Sequence, residues 1–187
     1  MNIGRPDDSE FPPYAKAYVD CVEGEDIFDA LSLQLTLFHA IFAPLDLSVA
    51  ATYRYAPGKW SINDVVGHIT DTERIFAYRL LRIARNDQTP LPGFEQDDYV
   101  AAGDFNRRTL ADMLSEFESV RHSSMRLVRS LSANALSANA LSANAWMSRG
   151  TYSGFSVTAR GVGFLIAGHE AYHSRILRER YMKVTSS

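Results

Sequence analysis

The chain has 187 residues, of which 46% are hydrophobic, 22% charged and 11% aromatic, the composition of a globular protein of one domain. With 19 basic and 22 acidic residues the net charge is -3, which argues against a nucleic-acid partner or an anionic membrane surface. A single cysteine excludes an internal disulfide, and the sequence shows neither a signal-peptide layout nor an apolar run long enough to span a membrane, so we predict a soluble cytoplasmic protein.

Apolar residues recur three and four positions apart in four segments, the spacing that one face of a helix requires. The segments are residues 25–42, 61–83, 107–130 and 157–182. The second begins at an N-cap serine, Ser61, with Asp64 three positions later, the pattern of a capping box. Because only a short extended piece is expected, at residues 151–155, we predict an all-α bundle of four helices.

The connection between the second and third predicted helices, residues 86–106, is long and rich in proline and aromatic residues. A connection of this length allows the two helices to run parallel, and it is typical of a lid or a binding element. We therefore take Phe94 and Tyr99 as candidates for an apolar wall and Asp97 or Asp98 as a candidate substrate contact. Plain packing between helix ends is the alternative.

The pentapeptide Leu-Ser-Ala-Asn-Ala occurs three times in succession at residues 131–145. Its five-residue period advances about 140° round a helix, so the leucines of the three copies cannot share a face. We therefore predict an insertion in the connection before the last helix, which loop closure tolerates well. The rest forms a single domain over residues 1–187, with a core from about residue 25 to residue 182.

The fourth predicted helix contains the pattern H-E-x-x-H at residues 169–173. His169 and His173 lie about 40° apart round the helix axis, so both can bind one ion from the same side. They also continue the apolar face of the helix. Two imidazoles that point into a core need polar partners, and a metal ion would supply them.

The same pattern occurs in zinc proteases of the zincin type, but a downstream third ligand is lacking here. No histidine follows His173, and the one acid that does, Glu179, is too close on the same helix to reach back. The third ligand must then come from upstream. If the second and fourth helices are antiparallel, His68 lies at the depth of His173, whereas His39 and His122 have no paired neighbour, so the spacing favours His68.

Several further motifs accompany this pattern in chain order. They are Pro57-Gly58-Lys59-Trp60-Ser61, Gly67-His68-Ile69 with Asp71-Thr72-Glu73-Arg74-Ile75-Phe76, Thr89-Pro90-Leu91-Pro92-Gly93-Phe94, and Gly168-His169-Glu170 to His173. Together they resemble the DinB-like (YfiT-like) family of metal-dependent enzymes over about residues 25–182. Many members have histidine where Tyr172 stands, but this position turns about 100° from His173, so the change leaves the ligand set intact.

The resemblance implies an up-down-down-up four-helix bundle with long inter-helix connections, often a homodimer, in which His68, His169 and His173 hold one divalent metal ion. It also implies a metal-dependent hydrolase, or a transferase that uses a low-molecular-weight thiol as co-substrate, acting on a small molecule. For the ion we expect zinc or nickel first, with iron or manganese as alternatives. A non-catalytic metal-binding bundle that acts as a sensor or interaction module is the alternative function.

Three carboxylates near the candidate ligands need a role. Glu170, which lies about 80° from the midline of the two helix-four histidines, is the candidate general base, and a solvated or salt-bridged acid is the alternative. Asp71 and Glu73 follow His68 by one turn and are candidates to hydrogen-bond a ligand imidazole. Ion pairing with neighbouring arginines is an equally good account of both.

Overall fold

The computed structural model describes residues 3–136 and 145–182, which fold into six α-helices and one β-hairpin. The helices are α1 (Lys16–Val19), α2 (Ile27–Phe42), α3 (Ile62–Ala84), α4 (Gln96–Gly103), α5 (Leu110–Leu136) and α6 (Ala159–Ile176). The hairpin pairs β1 (Arg149–Tyr152) with β2 (Phe155–Thr158), and a π-helical turn, Leu177–Tyr181, continues α6. This mainly helical architecture confirms the predicted fold class. Within the described residues, none of these helices is both long and apolar enough to cross a lipid bilayer.

Side-chain caps fix where the long helices begin. The Asp26 carboxylate accepts from the backbone N–H groups of Phe28 and Asp29 at the start of α2. The capping box predicted for α3 is present, because Ser61 and Asp64 each accept from the other's backbone N–H. Such caps satisfy amide groups that the first helical turn leaves without partners, and they stabilise a helix by about 1 kcal/mol each.

The four long helices form an up-down-down-up bundle in which α2 and α3 each pack against both α5 and α6. The segments before α3 and α5 are joined by a hydrogen bond from Ser61 Oγ to Asn106 Oδ1 (2.6 Å), so these two helices are parallel. The Phe28 ring, at the start of α2, lies 4.5 Å from the guanidinium of Arg129, late in α5, so α2 and α5 are antiparallel. The Tyr181 hydroxyl, after α6, donates to a carbonyl immediately before α3, so these helices are antiparallel as well.

The buried apolar side chains form two clusters, one at each end of the bundle. A charged layer lies between them, where Arg121 on α5 donates to both carboxylate oxygens of Glu73 on α3 at 2.8–3.1 Å. Arg121 also donates to Gln34 Oε1 on α2 (3.0 Å), and Gln34 in turn donates to the carbonyl of Ala167 on α6 (3.0 Å). This layer ties all four bundle helices together at mid-height.

An N-terminal segment that the sequence analysis did not anticipate packs along α6. It contains a 3-10 turn, Pro13–Ala15, followed by α1. Two glycines on α6 allow the close approach, because a Cβ atom at Gly161 would lie 2.1 Å from the carbonyl oxygen of Glu10, and one at Gly168 would lie 2.4 Å from that of Tyr18. The segment thereby carries its tyrosines to the side of α6 that bears His169.

The long connection between α3 and α5 is ordered by pairing and by a short helix. Leu91 exchanges backbone hydrogen bonds with the hairpin, donating to Thr151 O (2.9 Å) and accepting from Ser153 N (3.0 Å). The helix α4 follows it, where the sequence analysis predicted only a packed loop or lid. The predicted extended piece at residues 151–155 is part of the hairpin.

The first copy of the pentapeptide repeat belongs to α5. This helix extends to Leu136, beyond the predicted end near residue 130, and Leu131 is fully buried in one of the two core clusters. The chain is described again from Ala145, where a 3-10 turn buries Trp146 in the same cluster. Residues 137–144, which hold most of the other two copies, lie outside the described residues, so the predicted insertion stays a prediction.

Candidate metal centre

Three imidazoles meet between α3 and α6. His68 comes from the second turn of α3, and His169 and His173 come from the last turns of the antiparallel α6. Their ring centres lie 4.5–4.9 Å apart in all three pairs. The Nε2 atoms of His68 and His169 are separated by 3.0 Å, and the nitrogens that the three rings offer all lie within 4.8 Å of one another.

Aromatic rings surround this cluster and remove most of it from water. The Trp60 ring lies 4.8 Å from that of His68, and the rings of Tyr18 and Phe76 lie 5.3 Å and 5.9 Å from that of His169. His68 and His169 are buried, whereas His173 is partly exposed. The cluster is therefore largely shielded from solvent.

Burial keeps the three imidazoles neutral. It lowers the pKa of His68 from the ordinary value of 6.5 to about 4. It also lowers the pKa of His173 to about 3, with a further contribution from the neighbouring His68. The pKa of His169 is lowered well below its usual value by burial first and by the other two histidines second. A neutral imidazole is the form that binds a metal ion.

The donor set fits a divalent transition-metal ion. Nitrogen ligands about 2.0–2.1 Å from a tetrahedral zinc ion lie about 3.3 Å from one another, close to the 3.0 Å between the Nε2 atoms of His68 and His169. The Thr72 hydroxyl lies 3.5 Å from Nδ1 of His68 and so faces the ring nitrogen that would carry the proton when Nε2 binds an ion. Two neutral imidazole nitrogens 3.0 Å apart can share one hydrogen bond when one of them carries a proton and the other does not.

A cavity of about 450 Å³ opens onto His68 and His169. Its walls come from the N-terminal segment, from α3, from the connection before α4 and from the hairpin turn. They include Tyr14, Tyr18, Thr72, Phe76, Arg79, Phe94 and Ser153. This volume is in the range that binds small organic molecules.

Two comparisons place the chain among known proteins. The family model of the DinB superfamily matches residues 30–177, which include all four bundle helices in large part and all three clustered histidines. The chain belongs to the DinB superfamily. A search of curated protein sequences gave no match.

The superfamily assignment agrees with the fold of a solved structure. YfiT from Bacillus subtilis, described as a probable metal-dependent hydrolase with an unusual four-helix bundle topology, is similar with a TM-score of 0.66. The similarity covers 99% of this chain and 97% of YfiT, at 13% sequence identity. At that identity the comparison shows a shared fold.

Glu170, the predicted general-base candidate, lies on the other side of α6 from the cavity of this DinB-superfamily bundle. It lines a groove beside α2 together with Gln34 and Ser174. Ser174 donates a hydrogen bond to one oxygen, Oε1, while Oε2 has no partner among the described residues. Burial raises the pKa of Glu170 to about 6, although Arg121 and Ser174 act in the opposite direction. Glu170 is thus neither solvated nor part of the cavity wall.

Asp71 and Glu73, the other two predicted carboxylates, form ion pairs. Asp71 is half-buried and pairs with Arg74 at 3.1 Å. Glu73 is buried against Arg121. Neither lines the cavity. Asp71 pairs with a neighbouring arginine, as the alternative had it, whereas the partner of Glu73 is an arginine on α5.

Of the site residues predicted between α3 and α5, the structure brings one to the cavity. Phe94 lines it directly. The Tyr99 ring packs 5.0 Å from that of Phe94 and is half exposed, and Asp97 and Asp98 are exposed on α4. The predicted apolar wall therefore consists of Phe94 itself, with Tyr99 behind it.

Several cavity residues escaped the sequence analysis. Thr72, Phe76 and Arg79 follow His68 at helical spacing on one face of α3, a signal that the sequence carries and that could have identified them. Tyr14 and Tyr18 lack such a signal, because the N-terminal segment reaches the cavity only through tertiary packing on α6.

Proposed function

We propose that this protein is a metal-dependent enzyme in which His68, His169 and His173 hold one divalent ion. The observation that carries the proposal is the set of three neutral imidazoles whose nitrogens lie within 4.8 Å of one another beside a cavity large enough for a small molecule. Superfamily membership and the similarity to YfiT support it.

Three protein ligands leave coordination positions open, which is typical of catalytic rather than structural metal sites. A bound ion of this kind lowers the pKa of a coordinated water to near neutrality, or holds a coordinated thiol as its thiolate. We therefore propose either a hydrolase or a transferase that uses a low-molecular-weight thiol as co-substrate. Zinc or nickel suits the imidazole set best, and iron and manganese are alternatives.

The residues of the chain have clear parts in this proposal. Trp60 and Phe76 exclude water from the buried imidazoles and so keep them neutral. With an ion on Nε2, Nδ1 of His68 would carry the proton and would face the Thr72 hydroxyl, which would then orient that ring. Phe94 forms an apolar wall against which a substrate lies. Glu170 faces the opposite groove, so we give it no proton-transfer step.

Turnover by the metal-loaded protein tests the enzymatic part of the proposal. We would assay ester and amide substrates for hydrolysis, and pairs of thiols and electrophiles for transfer. We expect turnover on one of the two panels, lost in His173→Ala and retained in His122→Ala, which removes an exposed histidine of α5. Turnover that survives in His173→Ala would contradict the proposal. Stoichiometric metal without turnover on either panel would favour the non-catalytic sensor or interaction module.

A homodimer, which the family resemblance implies, and a cytoplasmic location, for which the single cysteine speaks, are also part of the proposal. Light scattering on the eluate of a size-exclusion column measures the mass in solution. A mass near twice 20.9 kDa supports the dimer, and a mass near 20.9 kDa contradicts it.

A further inference from the structure

Arg79 is a buried cation with which no carboxylate of the described residues forms an ion pair. It is 4% exposed and lies on α3 about three turns after His68, on the same face of the helix. Its guanidinium lies over the Tyr152 ring at 4.3 Å and near the rings of Phe76 and Phe94. Among the described residues its hydrogen bond from Nη2 goes to the carbonyl of Pro92 (2.7 Å), and no carboxylate forms an ion pair with it.

The other inward-facing arginines of the chain show what Arg79 lacks. Arg121 is fully buried and has Glu73, and Arg160 is paired with the buried carboxylate of Glu10. Burying a charge without an opposite charge is costly, and aromatic faces and one carbonyl offset only part of that cost. An arginine fork left with free N–H groups is suited to bind an oxyanion in two-pronged fashion.

Arg79 lines the same cavity as His68 and His169. Arg79 lines that cavity together with Phe76, whose ring lies between the guanidinium and His169. The histidines contribute no negative charge to the cavity. Glu95 is a carboxylate in its wall, but its side chain is exposed, so solvent screens its charge.

We propose that Arg79 is the recognition site for an oxyanion on the substrate, a carboxylate or a phosphate ester, held at the end of the cavity away from the histidines. The substrate is then a small amphipathic anion whose apolar part lies against Phe94 and Tyr18. This substrate class rests on the proposed function, but the anion site itself is independent of any catalysis.

A purely structural role for Arg79 is the competing account. Its hydrogen bond to Pro92 and its position among three rings could serve only to hold the connection before α4 in place. That role would change stability but would not discriminate a charged ligand from a neutral one of the same shape. The test therefore compares ligands that differ in charge alone.

Isothermal titration calorimetry on the full-length protein, both zinc-loaded and metal-free, makes this comparison. The probes are benzoate, phenyl phosphate and the neutral benzamide. The variants are Arg79→Met and Arg79→Lys, with Arg85→Met as the control that removes an exposed arginine from the end of the same helix. The metal-free protein separates binding at Arg79 from coordination to the ion.

For wild type and Arg85→Met we expect benzoate or phenyl phosphate to bind at least about tenfold more tightly than benzamide, with or without zinc. The anion that binds with the higher affinity shows whether the site prefers a carboxylate or a phosphate ester. In Arg79→Met the preference is lost, and in Arg79→Lys part of it remains. If Arg79→Met does not fold, the proposal is judged from the ratio of anion to benzamide affinity in wild type and in Arg79→Lys. A ratio that is not reduced in Arg79→Lys then contradicts it.

Three results would overturn the anion site. They are equal affinities for anion and amide in wild type, no binding of either anion, and an anion preference that is unchanged in folded Arg79→Met or appears only with zinc present. Zinc content is measured separately on the same samples. A chain that binds zinc but shows no anion preference refutes the Arg79 proposal alone. A chain that binds anions through Arg79 but takes up no zinc when zinc is offered refutes the metal centre alone.

Discussion

The three clustered histidines stay neutral because they are buried among aromatic rings, and no carboxylate of the described residues opposes the lowering of their pKa values. If two of these imidazoles were protonated, their positive charges would repel each other, which lowers the pKa values of His169 and His173 further. The cluster therefore favours a metal ion over protons even below neutral pH, since fewer protons compete for the ligand nitrogens. For the same reason, the metal-free folded protein should be less stable at acidic pH.

We expect the free energy of unfolding of the metal-free protein to fall as the pH is lowered from 7 to 5. The unfolded chain takes up protons on these histidines below pH 6.5, while folded His68 and His173 take them up only near pH 4 and pH 3. Stability is therefore lost by up to about 1.4 kcal/mol per pH unit for each such histidine. Urea denaturation at several pH values measures the slope.

A change of one histidine isolates this effect. His68→Gln should reduce the slope, and His122→Gln, which removes an exposed histidine, should leave it unchanged. Glu170 acts in the opposite direction between about pH 4.5 and 6, because its pKa is raised, but it is one group against three. Equal slopes for wild type and His68→Gln would refute the assignment of buried neutral imidazoles.

At the scale of residues, the sequence predicts the histidine cluster but not its surroundings. His169 and His173 are recognisable because helical geometry puts positions four apart on one side, and His68 follows from matching depths on antiparallel helices. The role of Glu170 could not be predicted, because its environment is created by side chains from α2 and α5. Local spacing carries no information about those contacts.

Between elements, the ion pair of Glu73 and Arg121 joins α3 to α5 and has almost no access to water, with side-chain exposures of 2% and 0%. Removing the carboxylate leaves a buried guanidinium with two neutral acceptors, the Leu31 carbonyl and Gln34. We therefore expect Glu73→Ala to lower the free energy of unfolding by about 3–5 kcal/mol. Chemical denaturation measures it.

An exposed ion pair at the start of α5 is the control. Asp112→Ala removes an ion pair with Arg108 whose carboxylate side chain is 61% exposed. Surface pairs contribute little, so this variant should cost less than about 1 kcal/mol. Similar losses for Glu73→Ala and Asp112→Ala would mean that the charged layer does not hold the bundle together.

The contact between α6 and the N-terminal segment gives a second prediction at this scale. A Cβ atom at Gly168 would lie 2.4 Å from the backbone oxygen of Tyr18, so Gly168→Ala forces the segment away from α6. We expect a loss of about 1–3 kcal/mol in thermal or chemical denaturation. The Tyr18 ring should also move away from His169, which NMR of the imidazole resonances would detect.

Gly163→Ala on the same helix is the control for this substitution. Its Cβ atom would approach a side-chain atom of Trp146 at 3.0 Å, a milder contact. The higher helix propensity of alanine offsets part of that cost, by up to about 1 kcal/mol. If Gly168→Ala is as stable as Gly163→Ala, the close approach of the N-terminal segment is not a constraint on α6.

The elements that were predicted correctly are those with a local signal. Periodic apolar residues and the capping box of Ser61 and Asp64 identify the long helices without any tertiary information. Helix α4 and the 3-10 turn at Pro13–Ala15 are too short to show a periodic pattern. These two elements are stabilised by tertiary packing on the core. A local sequence pattern carries no information about that packing.

For the whole molecule, the question raised by the repeat at residues 131–145 is whether the domain needs all three pentapeptide copies. Leu131, the first residue of the repeat, and Trp146, which directly follows the repeat, are buried in the same core cluster. We expect a chain that retains one pentapeptide copy instead of three to keep a single cooperative unfolding transition and full metal binding, because loop closure depends weakly on length. Loss of either property would show that the extra copies belong to the domain rather than to an insertion.

The central claim is that one divalent ion binds at the three histidines, and elemental analysis of purified protein tests it most directly. Wild type should retain about one zinc or nickel ion per chain after dialysis. The control His122→Ala, which removes an exposed histidine of α5, should retain the same amount. His68→Ala, which removes the ligand from α3 and leaves the H-E-x-x-H pair intact, should lose most of it. Full metal retention in His68→Ala would contradict the three-histidine centre.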